Sequence, residues 1–137
     1  MSWTARFLDL AKTIASWSKD STKVGAVAVG RDRQILSTGY NGLPRKVLDL
    51  PERMERPIKY LFTTHAEANL VAHAARSVLE NSTVYVTHHC CAQCAALLIN
   101  AGVAKVIFGD GKTSMPQEHF DVAAVMFQEA GVVVERG

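Results

Sequence analysis

The chain is short of cysteine, aromatic residues, charge of one sign and long apolar runs. The cysteines number three, all between Cys90 and Cys94, which is no disulfide framework. Aromatic residues are 7% and the net charge is +2. That leaves no broad basic, aromatic surface of the kind that binds nucleic acid strands, so no nucleic-acid partner is expected. No run approaches the roughly 18 apolar residues of a membrane span, and no membrane partner is expected either. Arg6, Asp9 and Lys12 interrupt any signal-peptide pattern. The expected location is cytoplasmic, where thiols stay reduced and clustered cysteines bind metal or do chemistry.

What remains is a foldable chain of 137 residues, 48% hydrophobic and 20% charged. It is expected to form one domain over residues 1–137. Ser2 is placed to cap a helix running to about residue 19, with Trp3, Phe7, Leu10, Ile14 and Trp17 on its buried face. Residues 24–29, all small or apolar, suit a strand buried on both faces. Residues 30–34 suit a hairpin turn, and 35–40 the returning strand. Residues 43–62 hold three prolines and several basic residues, which precludes a long helix. A helix is expected over 65–80, a strand over 83–87, and a helix over 92–101 closed by Gly102. A strand over 103–108 and a loop over 109–116 follow. The last elements are a helix over 118–130, with Phe120, Ala123, Ala124 and Phe127 inward, and a strand over 132–134. A hairpin followed by βαβ units predicts an α/β, three-layer α-β-α architecture, with a five-stranded mixed sheet and helices on both faces.

Two clusters carry chemistry. The first is His65-Ala66-Glu67, where a helix is expected to begin. The second is His88-His89-Cys90-Cys91-Ala92-Gln93-Cys94. Cys91 and Cys94 are three apart and share one helix face, at the end where free N–H groups and the dipole favour thiolates. His65 with these two thiolates would hold one zinc and leave a tetrahedral position for water. Residues two apart on a helix diverge by roughly 200°, so Glu67 is placed as a proton carrier for that water rather than as a further ligand. The competing possibility is a closed structural site, with a fourth ligand from His88, His89 or Cys90. A carboxylate at the offset of Glu67 favours the catalytic arrangement. Gly111-Lys112-Thr113 is not a P-loop, because Val106 stands where that motif requires glycine.

H-x-E followed by P-C-x-x-C is the signature of zinc-dependent nucleobase deaminases. This chain resembles that superfamily at His65-Ala66-Glu67 and Cys91-Ala92-Gln93-Cys94, with Cys90 in place of the proline. Within it, the chain is most similar to deoxycytidylate deaminases. Gly39-Tyr40-Asn41-Gly42 resembles their G-Y-N-G turn. Residues 53–60 resemble R-x-R-P-x-K-Y, with one extra residue between the arginines. His65 to Asn69 resembles H-A-E-x-N, Thr87-His88-His89 their segment before the cysteines, and Arg76 falls where members carry an arginine.

The resemblance implies a cytidine-deaminase-like fold, a homo-oligomer packed through the helices after the zinc motifs, and deamination of the small nucleotide deoxycytidylate. Glu67 would shuttle protons, while Asn41 and the Ala66 backbone hold sugar and base. Asn69, Arg76 and His89 are further candidate substrate contacts. No cysteine–histidine set for a second, structural zinc precedes His65, so one zinc per chain is expected. Nor does the stretch 109–113 hold the tyrosine of nucleotide-regulated members. The alternatives are deamination of another cytosine or purine nucleoside, base or modified nucleotide, a nucleic-acid-editing deaminase, or a non-catalytic zinc module.

Overall fold

The computed structural model describes residues 1–137. Helix α1 spans Trp3–Ala15, with the Ser2 hydroxyl accepting the Ala5 N–H at 3.1 Å as the expected cap. The hairpin is β1, Gly25–Val29, and β2, Ile35–Tyr40. A 3-10 turn at Pro51–Met54 and a single turn α2, Lys59–Phe62, lead to α3, Ala66–Ala72, and α4, Arg76–Leu79. Then come β3 (Thr83–His88), α5 (Ala92–Asn100), β4 (Lys105–Gly111), α6 (Gln117–Ala130) and β5 (Val133–Arg136). The sheet order is β2-β1-β3-β4-β5. β1 pairs antiparallel with β2 and β3, while β3, β4 and β5 run parallel. The mixed five-stranded sheet expected from the pattern is the one formed.

Strand alternation sorts the core into two sides. Val27 and Val29 join Tyr85, Ile107 and the α1 residues Phe7, Leu8, Ala11 and Ile14 on one face. Ala26 and Ala28 join Val84, Val86, Val106 and Phe108 on the other, against Leu70 of α3, Leu98 of α5 and Phe127 of α6. Two successive βαβ crossovers of the same hand place α5 and α6 together on that face. The layers are therefore α1, the sheet, and α3 with α5 and α6.

Several expectations shift. Helix α1 ends at Ala15, and Trp3 and Trp17 are 44% and 58% exposed rather than in the core. The Arg6 and Arg33 guanidinium groups each lie 4.5 Å from the Trp3 ring, and Trp17 meets Tyr40 edge-on. Ala124 faces solvent. The single helix expected over 65–80 is two short helices. His73 Nδ1 lies 2.9 Å from the Thr38 carbonyl and ties the end of α3 to β2. The backbone is extended at Ala75 before α4 begins. Apolar spacing was compatible with one helix, but contacts with β2 and α5 override it. Strand β4 reaches Gly111, into the expected loop, through pairing of Gly111 with His88.

Candidate active site

The C-terminal ends of β3 and β4 and the N-termini of α3 and α5 converge at one cavity. Its wall includes His65, Ala66, Glu67, His88, His89 and Cys91, at the edge of a sheet where α/β folds bind ligands. His65 holds the N-cap position of α3 and Cys91 that of α5, with no side-chain cap on either helix. Both side chains are thereby free to turn toward each other.

They do so around a common point. His65 Nδ1 lies 3.3 Å from Cys94 Sγ and 3.5 Å from Cys91 Sγ. The three donor atoms all lie within 4.8 Å of one another. Tetrahedral zinc with ordinary bond lengths sets nitrogen and sulfur roughly 3.5 Å apart, so the donor set fits the ion. The chain offers this one His-Cys-Cys group. His88, His89 and Cys90 are outside it. The thiols share a proton: Cys91 is drawn down to about 4, first by its hydrogen bond with Cys94 and then by His65. Cys94 is correspondingly raised. A site that already stabilises a thiolate against an imidazole is prepared for a cation.

Glu67 is 4% exposed and stands in the first turn of α3. Burial pushes its carboxyl above the ordinary range, against opposing hydrogen bonds and the nearby His65. A carboxyl held this way, on the wall shared with His65 and Cys91, is suited to taking and returning a proton. Cys90, 1% exposed, packs in the core with Ala95 and Leu98. Burial raises its thiol well above the ordinary value, helped by the Glu67 carboxylate to which it hydrogen-bonds, so it stays a neutral thiol where the signature has proline.

The remaining sequence candidates divide. Asn41 and Ala66 line the cavity, as does His89. The His89 ring is set by Phe108, with centroids 4.7 Å apart. Asn41 is 7% exposed; its Oδ1 accepts the Val24 N–H and its Nδ2 donates to the Thr22 carbonyl. One Asn41 N–H is left for a ligand. Asn69 and Arg76 are not brought to the cavity wall. Asn69 Nδ2 donates to the Tyr40 carbonyl at 2.8 Å. Arg76 Nε donates to the Asn100 carbonyl at 2.9 Å, and Arg76 pairs with Glu80. Both side chains brace the fold; Arg76 starts α4, after the helix over 65–80 breaks.

Two further wall residues were not among the candidate site residues. Lys59 and Asp20 form an ion pair at 2.9 Å, with side chains 6% and 4% exposed. Burial alone would raise the Asp20 carboxyl; hydrogen bonds from Lys59, the Thr22 N–H and Ser21 outweigh it and hold it below its ordinary value. Lys59 is the lysine of the stretch over residues 53–60 that resembles R-x-R-P-x-K-Y, but nothing local marks Asp20, 39 positions away, as its partner.

Comparison with known proteins agrees with this geometry. Residues 1–110 match the model of the cytidine and deoxycytidylate deaminase zinc-binding region. The chain is 43% identical over 136 residues to an uncharacterized deaminase of Aliivibrio fischeri, covering 96% of this chain and 91% of that one. It is 33% identical to the deoxycytidylate deaminase of Mus musculus, over 99% of this chain and 80% of that one. The dCMP deaminase of cyanophage S-TIM5, solved in complex with dCMP and dUMP, superposes with a TM-score of 0.76 at 26% identity, covering 100% and 99% of the two chains. The match through both metal-bearing segments, together with similarity along nearly the whole chain, shows that this protein belongs to the family of zinc-dependent cytidine and deoxycytidylate deaminases.

Proposed function

We propose that the protein converts deoxycytidylate and water to deoxyuridylate and ammonia. The observation that carries this reading is the buried Glu67 carboxyl on the same cavity wall as His65 and Cys91. The choice of substrate is supported by the relatives, among them the mouse and cyanophage enzymes named for dCMP. His65, Cys91 and Cys94 would hold one zinc, which when bound supplies Lewis-acid activation of the attacking water. Glu67 takes a proton from that water as its oxygen bonds to C4 of the cytosine ring, and delivers the proton to N3. It then carries the second proton to the 4-amino group. Ammonia leaves, and the ring keeps a carbonyl at C4 and a hydrogen at N3. The free N–H of Asn41 and the Ala66 backbone orient sugar and base, and the His89 ring closes one side of the base pocket.

The same reading takes the chain as one deaminase domain acting on a free nucleotide in the cytoplasm, as a homo-oligomer. Leu97 on α5, with Val122 and Val125 on α6, leaves apolar surface on the helices after the zinc motifs. The test is turnover of dCMP, CMP, deoxycytidine, cytosine and guanine side by side. Deoxycytidylate is expected to have the highest kcat/KM. Turnover of an unphosphorylated compound with none of dCMP overturns the choice.

A further inference from the structure

The Asp20–Lys59 pair is unevenly satisfied. Oδ1 of Asp20 accepts three donors: Lys59 Nζ at 2.9 Å, the Thr22 N–H at 2.9 Å and the Ser21 hydroxyl at 3.4 Å. Oδ2 accepts none, although Asp20 is only 4% exposed. Nor is Oδ2 sealed among apolar atoms, since the buried side-chain atoms without partners are Thr63 Oγ1 and Ser82 Oγ. Asp20 lines the active-site cavity. Lys59 lines the same cavity. Its ammonium carries three donors, of which Asp20 and Ser21 take two.

A buried ion pair is poor evidence for stability, because desolvation offsets much of the attraction. Here the pair presents a free acceptor beside a free donor, with no net charge. A phosphate is repelled by the carboxylate. A base carbonyl can accept from Lys59 but cannot donate to Asp20. A hydroxyl does both. The phosphate is left to Arg56, a cavity-lining cation outside every ion pair of the chain.

Building on the deoxycytidylate reading above, we propose that Asp20 and Lys59 form a hydroxyl-reading site that binds the 3′-hydroxyl of the substrate sugar, donating to Asp20 Oδ2 and accepting from Lys59. The pair is then a specificity determinant for an intact sugar and takes no part in the chemical step. Its effect falls on binding, and so on KM rather than kcat.

The experiment compares dCMP with 2′,3′-dideoxycytidine 5′-monophosphate, in the wild type and in the double variant Asp20→Leu, Lys59→Met. The double variant removes both charges at similar volume, a replacement that buried pairs tolerate. Calorimetric binding of the products, dUMP and its dideoxy analogue, gives the same ratio independently of turnover. The wild type is expected to favour the 3′-hydroxyl by about tenfold to a hundredfold in KM and product affinity, the worth of a hydrogen bond to a charged group. In the double variant the ratio falls to within about threefold. If that variant does not fold, Asp20→Asn is read the same way. Equal binding of both sugars by the wild type overturns the proposal while leaving deamination of dCMP intact. So does a variant that loses affinity for both sugars alike and keeps their ratio, the behaviour of a merely structural pair. Failure of the wild type to deaminate either nucleotide overturns the deoxycytidylate reading, and this proposal with it.

Discussion

Glu67 and His65 differ in what their neighbours ask of them. His65 needs only to leave its Nδ1 facing two sulfurs, and the N-cap position does that. Glu67, in its proposed role, would move protons, which depends on a carboxyl whose affinity for a proton has been raised by burial. Glu67→Gln keeps the volume and removes the proton carrier. It is expected to lower kcat by about 10²–10⁴-fold, the usual worth of general acid–base catalysis, with bound zinc unchanged by elemental analysis. A Glu67→Gln enzyme that keeps wild-type kcat overturns the proton-shuttle role. Asp20 gives a residue-level prediction of another kind. Its folded-state value lies below the ordinary 3.8, so its contribution to stability is complete above that pH and is lost as pH falls through the lower, folded value. The stability gap between wild type and Asp20→Asn, measured by urea unfolding, is expected to stay constant from neutrality to about pH 5 and to close in more acid solution.

Among the elements, α3 matters most, because it carries both His65 and Glu67 at its start. It is held close to β2 by Gly39. A Cβ at that position would lie 2.2 Å from the Ala66 carbonyl and 2.5 Å from the Leu70 nitrogen, both backbone atoms. The helix would have to move as a body. Gly39→Ala is expected to cost about 1–3 kcal/mol, as overpacking does, and to weaken zinc binding as well, since moving α3 moves His65 away from Cys91 and Cys94. Unfolding and competitive chelator titration check the two effects separately; a destabilised variant with unaltered zinc affinity contradicts the second. Turn α2 is anchored differently, by Lys59 against Asp20 in the segment after α1. Asp20→Ala leaves that ammonium buried without its partner and is expected to cost about 3–5 kcal/mol, more than the charge-free double variant.

For the molecule as a whole, the candidate metal ligands would also act as a clasp. They join the start of α3 to the start of α5, elements that otherwise meet through the core around Leu70 and Leu98. Binding to the folded chain alone stabilises it, by about 4 kcal/mol when free zinc is a thousand times the dissociation constant. Chelator is therefore expected to lower Tm and abolish activity together, and added zinc to restore both; a Tm indifferent to chelator contradicts the clasp.

Much of this was legible in the residue order, because it depends on short-range spacing. Alternation and turn residues marked the hairpin, all five strands and the crossovers. H-x-E and C-x-x-C marked the metal ligands, since two helix starts can each orient their ligands locally. Three-dimensional packing decided the rest. It split the helix after His65 and turned Arg76 and Asn69 to backbone carbonyls. It left Trp3 and Trp17 at the surface and brought Asp20 to Lys59 across 39 positions. Spacing reports only the face on which a residue stands within its own element. Which polar group meets it from another element is set by how the layers pack, and no local pattern records that. The candidate metal ligands were therefore visible from the outset, whereas the rest of the cavity wall appeared only once the chain was folded.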